Sequence, residues 1–245
     1  MLLRIFATMK FQIWLWVGLF TYALPLFAQE TTPPLSSNAI IAKTPIKPAY
    51  KAGEWFKFRI HYGIFNASYA TLALTEATWN GQPALYAKGI GRTTGLARLF
   101  FKVDDYYSSY FTKEDNRPLH FIRNINEGGY KKHLTIDFDH EKKLATVIDL
   151  KEETTGIYST DPEVQDLISF VYYLRKHLDV DAIKKDEFVV VNLFFDAENY
   201  PFKFKFLGRE IIKTKFGKVK TLKFRPYVQS GRVFRSSESI TLWVS

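Results

Sequence analysis

One helical pattern constrains the fold of this chain more than any other stretch of its sequence. Near the start of residues 160–179, Asp161 and Pro162 form a pair that favours a helix N-terminus. The last turn of the predicted helix is basic, and the helix dipole favours positive charge there. Apolar residues recur between these ends at three- and four-residue steps: Val164, Leu167, Ile168, Val171, Leu174 and Leu178. The pattern predicts one amphipathic helix at 161–178, and its apolar stripe must pack against another element.

The segments before and after this helix have the two-residue alternation of β-strands. Residues 54–62 alternate apolar with basic side chains, Asn80-Gly81 is a two-residue hairpin signal, and residues 187–195 are apolar and β-branched, as in a central strand. About a dozen strands and one helix predict a mainly β fold. We expect a single curved antiparallel sheet, or an open barrel, wrapped around the helix at 161–178.

The first 28 residues have the pattern of a signal peptide. A basic start precedes an apolar run at residues 11–24, and Ala28 ends a sequence suitable for cleavage. The apolar run is short for a bilayer span, although an uncleaved N-terminal anchor is the alternative. Residues 29–50 are rich in Pro and Thr and predict a flexible leader, so a single β-rich domain is expected over residues 51–245.

The chain contains no cysteine. This excludes a lipoprotein anchor at the cleavage site, as well as disulfides, thiolate nucleophiles and cysteine-based metal sites. A signal-peptide pattern without a lipoprotein cysteine predicts export to a bacterial periplasm, with peripheral rather than spanning contact with membranes.

Positive charge is concentrated near the C-terminal end of the chain. The net charge is +9 at neutral pH, and residues 200–235 hold eleven Lys and Arg against the single acid Glu210. Six of these cations lie on a predicted hairpin and are the candidate contacts for an anionic group: Lys213, Lys215, Lys218, Lys220, Lys223 and Arg225. The alternative is a solvated edge that discourages aggregation. The partners that fit such a hairpin are a lipid, an anionic envelope polymer or another envelope protein, and we expect no nucleic acid.

Aromatic residues make up 17% of the chain, which suits a sheet-rich fold with a broad apolar interior. Such an interior is either a filled core or a cavity that shelters an apolar ligand. The candidate apolar lining comes from two alternating strand faces: Phe56, Phe58, Tyr62, Phe202, Phe204 and Phe206.

Motifs for catalysis or cofactor binding are missing from the sequence. The five histidines lack metal-binding spacing, and no Ser lies in a Gly-x-Ser-x-Gly elbow. Asp104 and Asp105 are neighbours on a predicted strand and therefore point to opposite faces, unlike the carboxylate pair of a glycosidase. We expect a non-enzymatic protein with no catalytic residue, no metal site and no cofactor.

Four ordered stretches of the sequence carry a family resemblance. They are Ala52 to Gly63, the bend Gly91-Arg92-Thr93 with Val103-Asp104-Asp105-Tyr106, the turn Gly128-Gly129-Tyr130, and Asp166-Leu167-Ile168-Ser169 with Tyr172-Tyr173-Leu174-Arg175. Over roughly residues 50–245 the chain resembles the exported bacterial proteins called domain of unknown function 3108. The resemblance implies an envelope protein rich in β-structure and implies no activity. It also implies that the final C-terminal strands are lacking, because members usually continue past Trp243-Val244-Ser245.

Three functional hypotheses remain open from the sequence. The leading one is an exported periplasmic protein that binds a lipid or another amphiphile with an anionic headgroup. The alternative is an envelope protein-interaction or scaffolding module with a filled core, and the third is a hydrolase of envelope polymers. An apolar cavity would favour the first, a packed interior the second, and a polar cleft with clustered histidine and aspartate the third.

Overall fold

The computed structural model describes residues 6–8, 48–62, 65–227 and 241–245 of the chain. These residues form thirteen β-strands in two antiparallel sheets and two helices. The fold is therefore mainly β, open and antiparallel, with a helix inside it, as the sequence predicts. It contains two sheets rather than the single sheet that was expected.

The first sheet is an eight-stranded meander in which each strand pairs with the next along the chain. Its strands are β2 (Trp55–Tyr62), β3 (Phe65–Trp79), β4 (Gln82–Thr93), β5 (Asp104–Thr112), β6 (Pro118–Glu127), β7 (Tyr130–Asp139), β8 (Leu144–Asp149) and β9 (Thr154–Ser159). The predicted hairpin at Asn80-Gly81 is confirmed, with both residues at positive φ, as the turn type requires. The sequence of residues 151–159 predicts a polar connection into the helix, and this prediction is wrong for strand β9. Its side chains are mostly exposed, so the sequence shows no alternation of buried and exposed residues there.

The second sheet has five strands in the order β1-β13-β12-β11-β10. They are β1 (Phe6–Thr8), β10 (Phe188–Phe195), β11 (Glu198–Thr214), β12 (Gly217–Tyr227) and β13 (Thr241–Val244). The predicted hairpin around Phe216-Gly217 is confirmed by the pairing of β11 with β12. The prediction of a central strand at 187–195 is wrong, because β10 lies at the end of this order. Its apolar composition reflects burial by the helix, which packs on Val189, Val191 and Leu193.

The main helix, α2, spans Ser169–His177 and is shorter than predicted. The short helix α1 spans Gly95–Phe100. The prediction of a helix from 161 is wrong because the preceding residues pair with strand β10. The backbone of Gln165 accepts a hydrogen bond from Phe194 N–H and donates one to Asn192, each 2.8 Å long. Three-residue apolar spacing alone does not distinguish such a segment from a helical turn.

Asp166 is the residue that starts α2. Its carboxylate accepts hydrogen bonds of 2.7 Å from the N–H groups of Ile168 and Ser169, and the Ser169 hydroxyl accepts one of 2.9 Å from Asp166 N–H. This reciprocal arrangement satisfies backbone donors that have no partner within the helix. The cap predicted at Asp161 therefore lies five residues too early.

Helix α2 lies between the two sheets, which also touch each other directly where Phe194 of β10 packs on Phe138 of β7. Tyr172 packs against the first sheet, where its ring lies 5.3 Å from that of Phe111. Phe170 and Leu174 pack against the second sheet. Within the described residues, the strands form two separate hydrogen-bonded sheets and not one closed barrel. In the described part of the chain, no helix is both long enough and apolar enough to cross a membrane.

Candidate functional site

A cavity of about 680 Å³ lies between α2 and the inner face of the second sheet. The helix side contributes Phe170, Val171 and Leu174. The sheet side contributes mainly apolar residues of β10 to β13: Val189, Phe204, Leu222, Phe224, Leu242 and Val244. The interior is therefore apolar on both sides, which suits an apolar ligand or part of one.

A β-bulge in β11 determines which side chains face this cavity. Phe206 pairs with Phe224, but the next pair joins Gly208 to Lys223, so one extra residue is inserted in β11. Gly208 has φ +122°, a conformation that side-chain-bearing residues rarely adopt. The insertion reverses the alternation of β11, and Arg209 and Ile211 therefore continue the face of Phe206.

The inner face of the β11–β12 hairpin changes from apolar to cationic along its length. Near α2 it carries Phe204, Leu222 and Phe224, whereas farther out Ile211 lies opposite Lys220 and Lys213 opposite Lys218. Arg209 lies between these regions. Its Nη2 donates a 2.5 Å hydrogen bond to the carbonyl of Val180, and its guanidinium lies 5.4 Å from the ring centre of Phe206. We call this series of cations the cationic rim: Arg209, Lys213, Lys218 and Lys220.

Two acidic residues, Glu210 and Asp181, border the cavity. The strand alternation, however, places the side chain of Glu210 on the opposite face of the hairpin, with Lys223. Glu210 is already engaged, since Lys223 Nζ lies 3.0 Å and Trp243 Nε1 3.2 Å from its carboxylate, and these contacts lower its pKa. Among the described residues, no carboxylate lies within ion-pair distance of Lys220. Lys220 therefore remains available for an anionic group.

The six cations predicted to bind an anionic group are divided between two faces of the hairpin. Lys220 lines the cavity, and Lys213 and Lys218 extend the same face. Lys215 lies at the turn, 4.8 Å from the ring centre of Phe216. The strand alternation places Lys223 and Arg225 on the opposite face, where Lys223 binds Glu210.

The predicted apolar lining is also divided, by α2 itself. Phe204 lines the cavity, and Phe202 and Phe206 belong to the same apolar cluster. Phe56 and Phe58 pack on the far side of α2, within the first sheet. The side chain of the remaining candidate, Tyr62, lies outside the described residues.

The site residues predicted from the sequence did not include the helix side of the cavity or Arg209. Phe170 lies outside the apolar stripe predicted for the helix, and that departure was the available signal. A helix packed on two sides needs apolar residues outside a single stripe. Arg209 could have been found only from the bulge, which Gly208 within an alternating strand indicates.

The histidine and aspartate side chains that were considered for catalysis lie outside the cavity. His120 Nδ1 lies 2.7 Å from Asp137 Oδ1, and the His120 ring stacks on Trp79 at 4.3 Å. Asp104 and Asp105 engage different partners, as their predicted opposite orientation requires: Asp104 binds Arg98, whereas Asp105 accepts a hydrogen bond from Asn126 N–H. Burial raises the pKa of Asp105 to about 6. In the described part of the chain, no group of three His, Asp or Glu side chains is arranged to hold a metal ion.

The chain was compared with curated proteins and with solved structures. A search of curated proteins found no match to the chain. Among solved structures, a β-barrel-like protein of the DUF1849 family from Brucella abortus is similar, with a TM-score of 0.43, 8% identity, and coverage of 75% of this chain and 88% of that one. A DUF1089 family protein from Pseudomonas aeruginosa is also similar, with a TM-score of 0.33, 8% identity, and coverage of 67% and 90%.

The family comparison covers most of both sheets and most of the cavity lining. The model of the family described as a protein of unknown function, DUF3108, matches residues 57–245. That range includes α2, the bulge in β11 and the cationic rim. Because the match extends over most of its length, this chain belongs to the DUF3108 family.

Proposed function

We propose that this protein binds an amphiphile, with the apolar chain in the cavity and an anionic headgroup at the cationic rim. The observation that carries the proposal is the cavity between α2 and the second sheet, with its change from apolar lining to Lys220 and Arg209 along one face. In this proposal the protein is exported, works in the periplasm and performs no catalysis.

The size and lining of the cavity support an apolar guest. Ligand pockets generally measure about 300–1,000 Å³, and this cavity is about 680 Å³. The charged side chains of α2 that border it are already engaged: Arg175 binds Glu54, and Lys176 Nζ donates to the carbonyls of Lys113 and Glu114. Water in such a space would find few hydrogen-bond partners, so an apolar chain is favoured there.

The charge at the outer end supports an anionic headgroup. Lys213, Lys218 and Lys220 share one face of the hairpin with Arg209. Asp181 is the acid at the cavity besides the ion-paired Glu210, so the cations outnumber the carboxylates there. An acyl chain that lies along Phe204 and Leu222 would bring its headgroup to these cations.

The export component of the proposal is supported by the sequence pattern of residues 1–28, a basic start followed by an apolar run. An amphiphile that moves between two membranes of the envelope must cross water, and a protein that shelters its apolar chain has a clear role there. A fusion of residues 1–50 to a periplasm-dependent reporter enzyme tests this component. Cytoplasmic retention of the fusion would contradict it.

Binding is tested with two fluorescent probes that differ only in charge. Dansylaminoundecanoic acid is anionic, and its methyl ester is neutral. We expect Leu222→Trp, which fills the cavity, to weaken binding of both probes at least tenfold. Lys220→Gln should weaken binding of the acid several-fold and leave the ester unchanged.

The matched control is Lys88→Gln, an exposed lysine on β4 away from the cavity, which should change neither affinity. Native mass spectrometry of protein extracted gently from its membranes provides an independent reading, because a bound lipid adds its mass. If wild type binds neither probe and carries no lipid, the proposal fails, and cross-linking to an envelope protein would then favour the scaffolding alternative.

A further inference from the structure

The short helix α1 exposes its apolar side chains to solvent. Leu96, Leu99, Phe100 and Phe101 are 64%, 80%, 87% and 54% exposed, and none of the residues of α1 is buried. Scattered single apolar residues are normal on a protein surface, but four within six consecutive positions form a patch, and patches mark contact sites.

Hydrogen bonds hold α1 and its flanking residues to the first sheet. Val103 N–H donates a 2.9 Å hydrogen bond to Thr93 Oγ1, Thr93 N–H donates to the Val103 carbonyl, and Thr94 N–H donates to Ala67 on β3. Arg98, the charged residue of α1, donates two hydrogen bonds to Asp104, of 3.0 and 2.8 Å. The segment is therefore a folded element and not a loop that exposes apolar residues through lack of structure.

The polarity of α1 is reversed relative to an ordinary surface helix. Its arginine binds the body of the protein through Asp104, and its leucines and phenylalanine face outward. An ordinary surface helix buries its apolar face and exposes its charges. This reversal suits an element that enters a nonaqueous environment outside the protein.

Positive charge surrounds the patch. Arg92 and Lys102 are well exposed, at 67% and 56% of their side-chain surface, and with Arg98 they give three cations around the single carboxylate of Asp104. Two further acids, Asp105 and Glu127, are half-buried on the adjoining strands. Apolar side chains ringed by exposed cations complement a bilayer with anionic headgroups, where apolar residues enter the interface and cations bind the phosphates.

We propose that α1 and Phe101 form a membrane-docking knuckle that inserts Leu96, Leu99, Phe100 and Phe101 into the surface of an anionic lipid bilayer. Arg92 and Lys102 bind lipid headgroups beside it. This site is separate from the cavity, because α1 joins β4 to β5 and packs against β3 of the first sheet, whereas the cavity lies between α2 and the second sheet. The proposal thus stands whether or not the cavity holds an amphiphile.

Vesicle binding by the full chain tests this inference. Wild type should cosediment with vesicles of phosphatidylglycerol and phosphatidylcholine, more weakly with phosphatidylcholine alone, and less at high salt. The variant Leu99→Asp/Phe100→Asp should bind at least tenfold more weakly. The matched control is Leu150→Asp/Ile157→Asp, which places the same two charges at apolar residues that are 49% and 67% exposed, and it should bind as wild type does.

A local reporter separates the knuckle from any other membrane contact of the same chain. Tryptophan fluorescence of Phe100→Trp should shift to shorter wavelength on vesicle addition and be quenched by brominated lipid, while Ile157→Trp on β9 should not respond. The proposal is overturned if the Phe100→Trp emission is unaffected by vesicles. It is also overturned if wild type binds neither vesicle, which would assign the patch to a protein partner.

Discussion

The two sides of α2 differ in how completely they are packed. On the first-sheet side, Tyr172 is fully buried between the rings of Phe111 and Tyr50, whose centres lie 5.3 and 5.2 Å away. On the second-sheet side, Phe170 and Leu174 face a cavity of about 680 Å³. One nine-residue helix is thus a core element toward one sheet and a cavity wall toward the other.

Buried polar interactions follow the same division. The carboxylate of Asp166 is fully buried and accepts a 2.6 Å hydrogen bond from Ser109 on the first sheet. Arg175 binds Glu54, next to β2, through two hydrogen bonds of 2.5 and 2.9 Å. These contacts fix the helix to the first sheet. The cavity lies on the other side of the helix, toward the second sheet. The position of the cavity therefore follows from the anchoring of α2 to the first sheet.

The largest difference in stability is expected when one side chain is truncated on each side of α2. Phe111→Ala should lower the free energy of unfolding by about 3–5 kcal/mol, because the ring is fully buried and its neighbours cannot collapse into the space. Leu222→Ala should cost only about 1 kcal/mol, because its side chain already borders empty space. Urea unfolding followed by tryptophan fluorescence measures both, and equal losses would contradict the difference between the sides.

A second test compares one Glu→Gln substitution in each region. Glu54→Gln leaves the buried Arg175 without its carboxylate and should destabilise the protein by about 3 kcal/mol. Glu210→Gln breaks the exposed pair with Lys223 and should have little effect. Thermal unfolding of the two variants at one pH measures the difference. Similar melting temperatures would show that the ion pair at α2 does not anchor the helix.

A third test uses the pH dependence of stability. Burial raises the pKa of Asp166 to about 6, above its unfolded value, so the folded state binds more protons in this range. The contribution of Asp166 is therefore greatest below about pH 4 and falls as pH rises through 6, by roughly 3 kcal/mol. Asp166→Asn keeps an acceptor oxygen for the helix N-terminus and removes the titration.

The measurement for this third test is the denaturation midpoint of wild type and Asp166→Asn from pH 4 to pH 8. The difference between them should change in favour of the variant as pH rises. Comparing two proteins cancels the carboxyls with lowered pKa, such as Asp104, whose contribution changes in the opposite direction. A constant difference across this range would show that Asp166 does not titrate there.

The smallest effect is expected from adding volume on the cavity side. Leu222→Phe should change the free energy of unfolding by less than about 1 kcal/mol, because space is available. Ala87→Val adds volume at a fully buried position of the first sheet and should cost about 1–3 kcal/mol. A larger loss for Leu222→Phe than for Ala87→Val in urea unfolding would contradict the assignment of the open side.

Much of the strand layout was predictable because local signals determine it. Asn80-Gly81 fixed one hairpin, and the alternation around Phe216-Gly217 fixed another. The division into two sheets was not predictable, since it depends on where Gln165 pairs and where Asp166 starts the helix. Both are long-range or capping events that apolar spacing does not report.

The candidate site was predictable in composition but not in arrangement. Phe204 and Lys220 do line one cavity, as an apolar strand face beside a basic hairpin suggested. Phe56 was assigned to the same lining, yet the helix stands between it and the cavity. The face on which each cation lies depends on the single-residue bulge before Gly208, which shifts half of β11 relative to simple alternation.

The bridge between Gln165 and β10 has a mechanical consequence. Residues 160–166 bind the first sheet through Thr160 N–H, which donates to the Lys143 carbonyl, and the second sheet through the two hydrogen bonds of Gln165. The same bridge covers the strand edge of β10, so moving α2 outward would expose a template for pairing with another chain. Any widening of the cavity is therefore least costly on the opposite wall, which β12 and β13 form.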